Sequence, residues 1–297
     1  MAKYDIDKLK KELDSLCNKY EAQISDTVLG YESKYLYKNT NGPKSYGRFE
    51  QQFRLFFELA NRIVMGLNYI DKKNWPDHRT TQFLFISNNL IPLHNVTYNL
   101  LRGHWGDSMT LMRPILEAMV RMIWISCNPT RSSAGVIKQG DGMKEFNYTN
   151  FIKDDLGLNW EDYKMMSFKA HGNTIAVAQD HIKLSKSEYK YPIMPKFKED
   201  KVMFEMCLNY VKFLEVFYLQ FIVDILVTEY SEESLSKKLV DDAREYLRLA
   251  KANMRIHPKN YWPKVADDIE DLMELVRICD MGSGDYKQAW SKIRDKQ

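Results

Sequence analysis

Residues 107–127, DSMTLMRPILEAMVRMIWISC, constrain the fold more than any other stretch of the chain. Leu111, Met112, Ile115, Leu116, Met119, Val120, Met122, Ile123 and Ile125 cover most of a helix circumference. A helix apolar nearly all round must be buried on most sides. Into it are set Arg113, Glu117 and Arg121, four residues apart and so on one face. Burying a charge without a partner is costly, so the three either pair, with Glu117 between the arginines, or line a wet cavity. Two readings follow: an ion-pair ladder that fixes helix register, or an anion-binding or catalytic face. An ordinary solvated face is the third. Pro114 lacks an N–H, so the helix starts shortly before it or bends there. Gly103, Gly106 and an N-cap at Asp107 place a break just upstream. Arg54, Glu58 and Arg62 repeat the spacing within residues 53–67, as a worn duplication or by chance, since the pattern is common on helices.

The rest of the chain follows the helical period. Amphipathic or apolar runs at 4–27, 48–70, 80–101, 201–230, 231–255 and 265–279 have no counterpart with sustained strand alternation. With only 13 glycines and 9 prolines in 297 residues, turns are too few for a β protein. The expected class is all-α, a multi-helix bundle of mostly antiparallel long helices. We expect a single helical domain over 1–297, with 1–47 as an N-terminal helix and loop arm that packs on it or on a partner chain. Pro92 predicts a kink, 128–142 reads as a mobile loop, and the segment 189–195 reads as extended.

Charge and cysteine content narrow the function. A net charge of +3 from 43 basic and 40 acidic residues argues against a general polyanion-binding surface and leaves a local patch open. Cys17, Cys127, Cys207 and Cys279 are far apart in sequence and form no Cys-x-x-Cys or Cys/His cluster, so neither structural zinc nor another metal is expected. A reduced cytoplasm fits best. The N-terminus lacks a signal-peptide apolar core, and the run 216–227 is too short to span a bilayer. Phosphate-loop, dinucleotide, His-Glu-x-x-His and Gly-x-Ser-x-Gly motifs are absent, and no cofactor is implied.

A second polar cluster lies at Ser167, His171, Gly172 and Asn173. Ser167 and His171 share a helix face, and Gly172-Asn173 reads as its C-terminal cap. A histidine in a last turn suits the helix dipole, which explains it without function. The sharper reading brings His171 onto the Arg113–Glu117–Arg121 face as an acid–base group. His104, beside Trp105 in the glycine break, is a candidate ligand-binding residue. His78, His94, His181 and His257 stand singly and read as structural. The tyrosines and lysines of 31–48 form a loop with a nucleic-acid-binding alternative.

The pattern Arg113-Pro114-x-x-Glu117-Ala118-x-Val120-Arg121-x-x-Trp124, followed about fifty residues later by His171-Gly172-Asn173, resembles an uncharacterised family of bacterial all-helical proteins. The resemblance covers roughly 90–177, under a third of the chain. Met122 stands where that family tends to have glycine, and 169–173 departs from its Thr-His-Gly-Gly-like segment. The resemblance implies a bacterial or phage-associated helical protein and marks Arg113, Glu117, Arg121 and His171, without supplying a reaction. A looser likeness is to the nucleotide-binding helical bundles of prokaryotic defence and toxin systems. Their Arg-then-His signature has no clean copy here, and fold does not fix function.

Three functions fit these observations. One is a helical module that binds a ligand or a partner in bacterial stress or phage defence, with a homodimer as one form. Another is a metal-independent ribonuclease or phosphodiesterase, with Arg113 and Arg121 on phosphate and Glu117 and His171 catalytic. Ser167, Asn173 and His104 would assist binding. The third is a nucleotide or small-anion sensor using the same arginines. RNA or a nucleotide is the expected small partner, and a membrane is not.

Overall fold

The computed structural model describes residues 6–25, 44–101, 105–129, 150–151, 183–185, 188–190, 201–228, 235–256, 262–280 and 285–295. Among these the fold is all-α: α1 (Ile6–Ser25), α2 (Lys44–Asn68), α3 (Asp77–Leu101), α4 (Trp105–Cys127), α5 (Lys201–Phe221), α6 (Lys237–Ile256), α7 (Trp262–Asp280) and α8 (Tyr286–Arg294). A short antiparallel ribbon pairs β1 (Lys183–Ser185) with β2 (Glu188–Lys190), Leu184 opposite Tyr189. No described helix is long and apolar enough to cross a membrane.

The centre of the packing is α5, which touches α2, α3, α4, α6 and α7. Its burial follows from composition: Val211, Leu214, Val216, Phe217, Tyr218, Leu219 and Phe221 leave almost no polar face. The Tyr218 hydroxyl is satisfied inside by donating to the Ile115 carbonyl of α4 at 3.0 Å. Directly after α5 the chain widens into a π-helical turn, Ile222–Val227, which the apolar pattern did not announce. Such turns are uncommon. Here the Thr228 hydroxyl donates to the Val223 carbonyl at 3.0 Å.

α3 and α4 form the most extensive helix pair. As its sequence requires, α4 is buried along Met112, Ile115, Leu116, Met119, Val120, Met122, Ile123 and Ile125. It begins at Trp105, so Asp107 lies in its first turn rather than at the cap, and it runs through Pro114. α3 likewise runs through Pro92. Near the turn between them, Ser108 donates to the Val96 carbonyl at 2.9 Å and ties the two helices. Between α2 and α3, the Lys72 ammonium donates to the Leu67 carbonyl at 2.8 Å and lies over the Phe83 ring. It thereby caps the orphan carbonyls of α2.

α1 lies against α6 and α2. Leu13 and Leu16, on its apolar stripe, and Cys17 beside them are buried in the common core. Two ion pairs join α1 to α6, Lys19–Asp242 and Glu12–Arg248. Both are largely exposed and contribute little. α2 starts at Lys44, four residues before the predicted boundary, and α7 takes in Pro263 in its first turn, where a missing N–H costs nothing. α8 is capped by Asp285, whose carboxylate accepts from the Lys287 and Gln288 amides. The predicted loop beyond residue 129 falls outside the described residues.

Candidate functional site

Among the described residues, polar clusters interrupt the apolar interior at several places. The first is the expected one. On α4 the Arg113 Nε donates to Glu117 Oε1 at 2.9 Å, and the two side chains are 21% and 23% exposed. Arg121, one turn on, is half-buried. The three thus share one face of α4, and Glu117 is engaged by Arg113. His104, Ser167, His171 and Asn173 lie outside the described residues. The repeat on α2 is wired differently: Arg54 pairs backward with Glu50, and Arg62 with Glu58 at 2.5 Å. Because the α4 pair is partly solvated, Glu117→Gln is expected to lower stability by less than about 1 kcal/mol in chemical denaturation. A loss several times larger would mean that the carboxylate anchors much more than Arg113.

The second cluster was not anticipated. Arg79, in the first turn of α3, is among the largest fully buried side chains, at 1% exposure. It pairs with Asp280 at the end of α7. One of its terminal nitrogens donates to Gln82 Oε1 at 2.7 Å. The Gln82 amide donates in turn to the Met122 carbonyl and to Ser126 Oγ, at 2.8 and 2.7 Å. α3 and α4 are thereby joined by hydrogen bonds, and α7 is tied to them by the Arg79–Asp280 ion pair. Beside Arg79, His78 is held down to about 4, first by burial and then by the adjacent guanidinium.

The network ends against two thiols. Cys127, the last residue of α4, and Cys279, the penultimate residue of α7, place their sulfurs 3.2 Å apart. They are 152 residues apart in sequence, so no local motif signals them. Cys279 is the more acidic: contact with the Cys127 sulfur favours its thiolate, while the same contact and burial push Cys127 up.

The third cluster lies between α2, α5 and α6. The Lys212 ammonium donates to Gln52 Oε1 at 2.7 Å, and the Tyr246 hydroxyl reaches Glu215 Oε2 and the Gln52 carbonyl, each at 3.4 Å. Glu215 is 1% exposed, and its Oε1 meets no donor among the described residues. Burial therefore dominates and pushes its carboxyl up to about 7, against the opposing pull of Lys212 and Tyr246. Burial also lowers Lys212 and raises Tyr246. Cys17 of α1 is near enough to bias both electrostatically. A carboxyl titrating near neutrality beside a lysine has the chemistry of an acid–base pair. Its burial among helices makes it a structural group. A single Lys-x-x-Glu on a buried helix was the only sequence signal.

Two further surfaces bear on function. His94 packs among Phe53, Phe57 and Tyr98, an aromatic setting that fits its structural reading. On the outer face of α3, Leu84 and Ile91 are 50% and 66% exposed, in one row with exposed Asn88 and Asn95. Met65 of the adjoining α2 and Tyr69 just after it are exposed as well. Among the described residues no three of His, Cys, Asp and Glu converge as metal ligands. Comparison with family models, with curated proteins and with solved structures gives no match.

Proposed function

We propose that the chain is a helical module that works by docking a partner on the outer face of α3, and that the partner is a second copy of itself. The observation that carries this reading is the absence of charge. From Thr80 to Leu101 there is no Asp, Glu, Lys or Arg, in a chain of which 28% is charged. A solvated helix face normally carries ions, and depletion of charge around exposed leucine and isoleucine is the composition of an interface centre. An uncharged face is complementary to itself, because a two-fold contact brings no like charges together. Asn88 and Asn95 supply donors and acceptors that pair across such an axis. The resemblance of the Arg113–Trp124 helix implies a bacterial or phage-associated helical protein.

Light scattering on the purified chain tests this. The expected mass is twice the 35.1 kDa of one chain, and Ile91→Asp is expected to be monomeric with a thermal midpoint within about 2 °C of wild type diluted until it dissociates. A wild type that stays monomeric at high concentration, or an Ile91→Asp chain that still dimerises, removes the reading.

A second reading, a nucleotide or small-anion sensor, rests on Arg113 and Arg121 sharing one face of α4. It expects a nucleotide or short RNA to raise the thermal midpoint of wild type and not of Arg113→Ala, by mass action on the native state. No shift with any member of such a panel would retire it. The phosphodiesterase reading additionally requires His171 at this face, and it is tested by loss of RNA cleavage in His171→Ala.

A further inference from the structure

The two thiols at the ends of α4 and α7 have a geometry that neither the bundle nor its docking face requires. Their sulfurs are 3.2 Å apart, in contact but not bonded. A disulfide needs about 2.05 Å, so closure asks for an approach of roughly 1.2 Å. Both residues sit in the last turn of their helices, where the backbone yields most readily. Both are partly exposed, whereas Cys17 and Cys207 are buried. The pair is also off-balance in acidity, with Cys279 the natural attacking sulfur and Cys127 the resolving one.

We propose that Cys127 and Cys279 are an oxidation site: a hydroperoxide converts them to a disulfide that clamps the end of α4 to the end of α7. The Cys279 thiolate attacks one peroxide oxygen, forming an S–O bond as the O–O bond breaks. The electron pair leaves on the other oxygen, which is protonated to water or an alcohol. The Cys127 sulfur gives up its proton and attacks the Cys279 sulfenic acid. The S–S bond forms, the S–O bond breaks, and water departs. Two thiols have lost two electrons and two protons to one peroxide. The product lies beside Asp280 and therefore holds the carboxylate of the Arg79 network in place. It closes a loop of about 150 residues, whose removal of unfolded-state freedom is expected to raise the thermal midpoint on the order of 5 °C.

The test titrates the reduced full-length chain with hydrogen peroxide, alkylates the remaining thiols after unfolding, and maps peptides without reduction. The expected result is a Cys127–Cys279 linked peptide, alkylated Cys17 and Cys207, a raised midpoint, and reversal by dithiothreitol. Cys127→Ser is expected to gain oxygen at Cys279 with no rise in midpoint. The wild-type map stands by itself if that variant does not fold. Separate oxygen adducts on Cys127 and Cys279 without a linked peptide overturn the proposal. So does oxidation of all four thiols at the same rate, or a linked peptide whose formation leaves the midpoint unchanged or lower.

Discussion

Asp280→Ala is expected to lower the stability of the chain by about 3–5 kcal/mol, the largest effect of any single polar substitution considered above. The reason is the position of Arg79. Its guanidinium is 1% exposed, and among the described residues the Asp280 carboxylate offsets its desolvation. Gln82 and Ser126 still accept from Arg79 after the substitution, but neutral acceptors recover only part of the loss. The asymmetry of the pair is the diagnostic. Asp280 lies at a helix end and is partly exposed, so Arg79→Met, which removes the buried charge and keeps the stem, is expected to cost less. The double substitution should recover most of the Asp280→Ala loss, because replacing both members of a buried pair by apolar groups is often close to neutral. Urea unfolding of the four chains gives the cycle. If the two single losses simply add, the ion pair is not what holds α3 to α7.

The second large effect depends on pH. Glu215 keeps its proton to about 7 in the native state and to about 4.5 when unfolded. The native chain therefore binds the extra proton between these values, and stability falls as pH rises through that window. At about 1.4 kcal/mol per pH unit the total is on the order of 3 kcal/mol. His78 runs the other way. It is held to about 4 against an ordinary 6.5, so the native state carries fewer protons there and stability rises with pH between the two. The contributions oppose each other from about 4.5 to about 6.5, and this pair of groups leaves wild type nearly flat in that interval. Glu215→Gln removes one of them. Relative to wild type, the variant is expected to gain on the order of 3 kcal/mol between about pH 4.5 and about pH 8, as measured by denaturation at a series of pH values. Parallel profiles for the two chains would show that Glu215 titrates as an ordinary exposed carboxylate and that its burial is offset elsewhere.

These two clusters also show why some of the molecule was legible in advance and some was not. Helices were legible because their signal is local. Leu13 and Leu16 of α1, and the ring of methionines, isoleucines and leucines around α4, announce burial by spacing alone, and those residues are buried. The Arg113–Glu117 pair was legible for the same reason, since residues four apart on a helix meet whatever the rest of the chain does. The uncharged run of α3 was plain in the sequence, but which of its faces turns outward was not.

The sequence by itself determined the helical class and, in amphipathic or strongly apolar helices such as α1 and α4, the faces they bury, because period and composition act over one or two turns. The tertiary structure decided which helix ends meet. It set Arg79 against a carboxylate about two hundred residues away, brought two thiols into contact across the bundle, and buried Glu215 deeply enough to move its titration toward neutrality. Each of these depends on the packing of α3, α4 and α7, or of α2, α5 and α6, around a common core. Desolvation and long-range contact are properties of that packing, and a one-dimensional pattern carries neither.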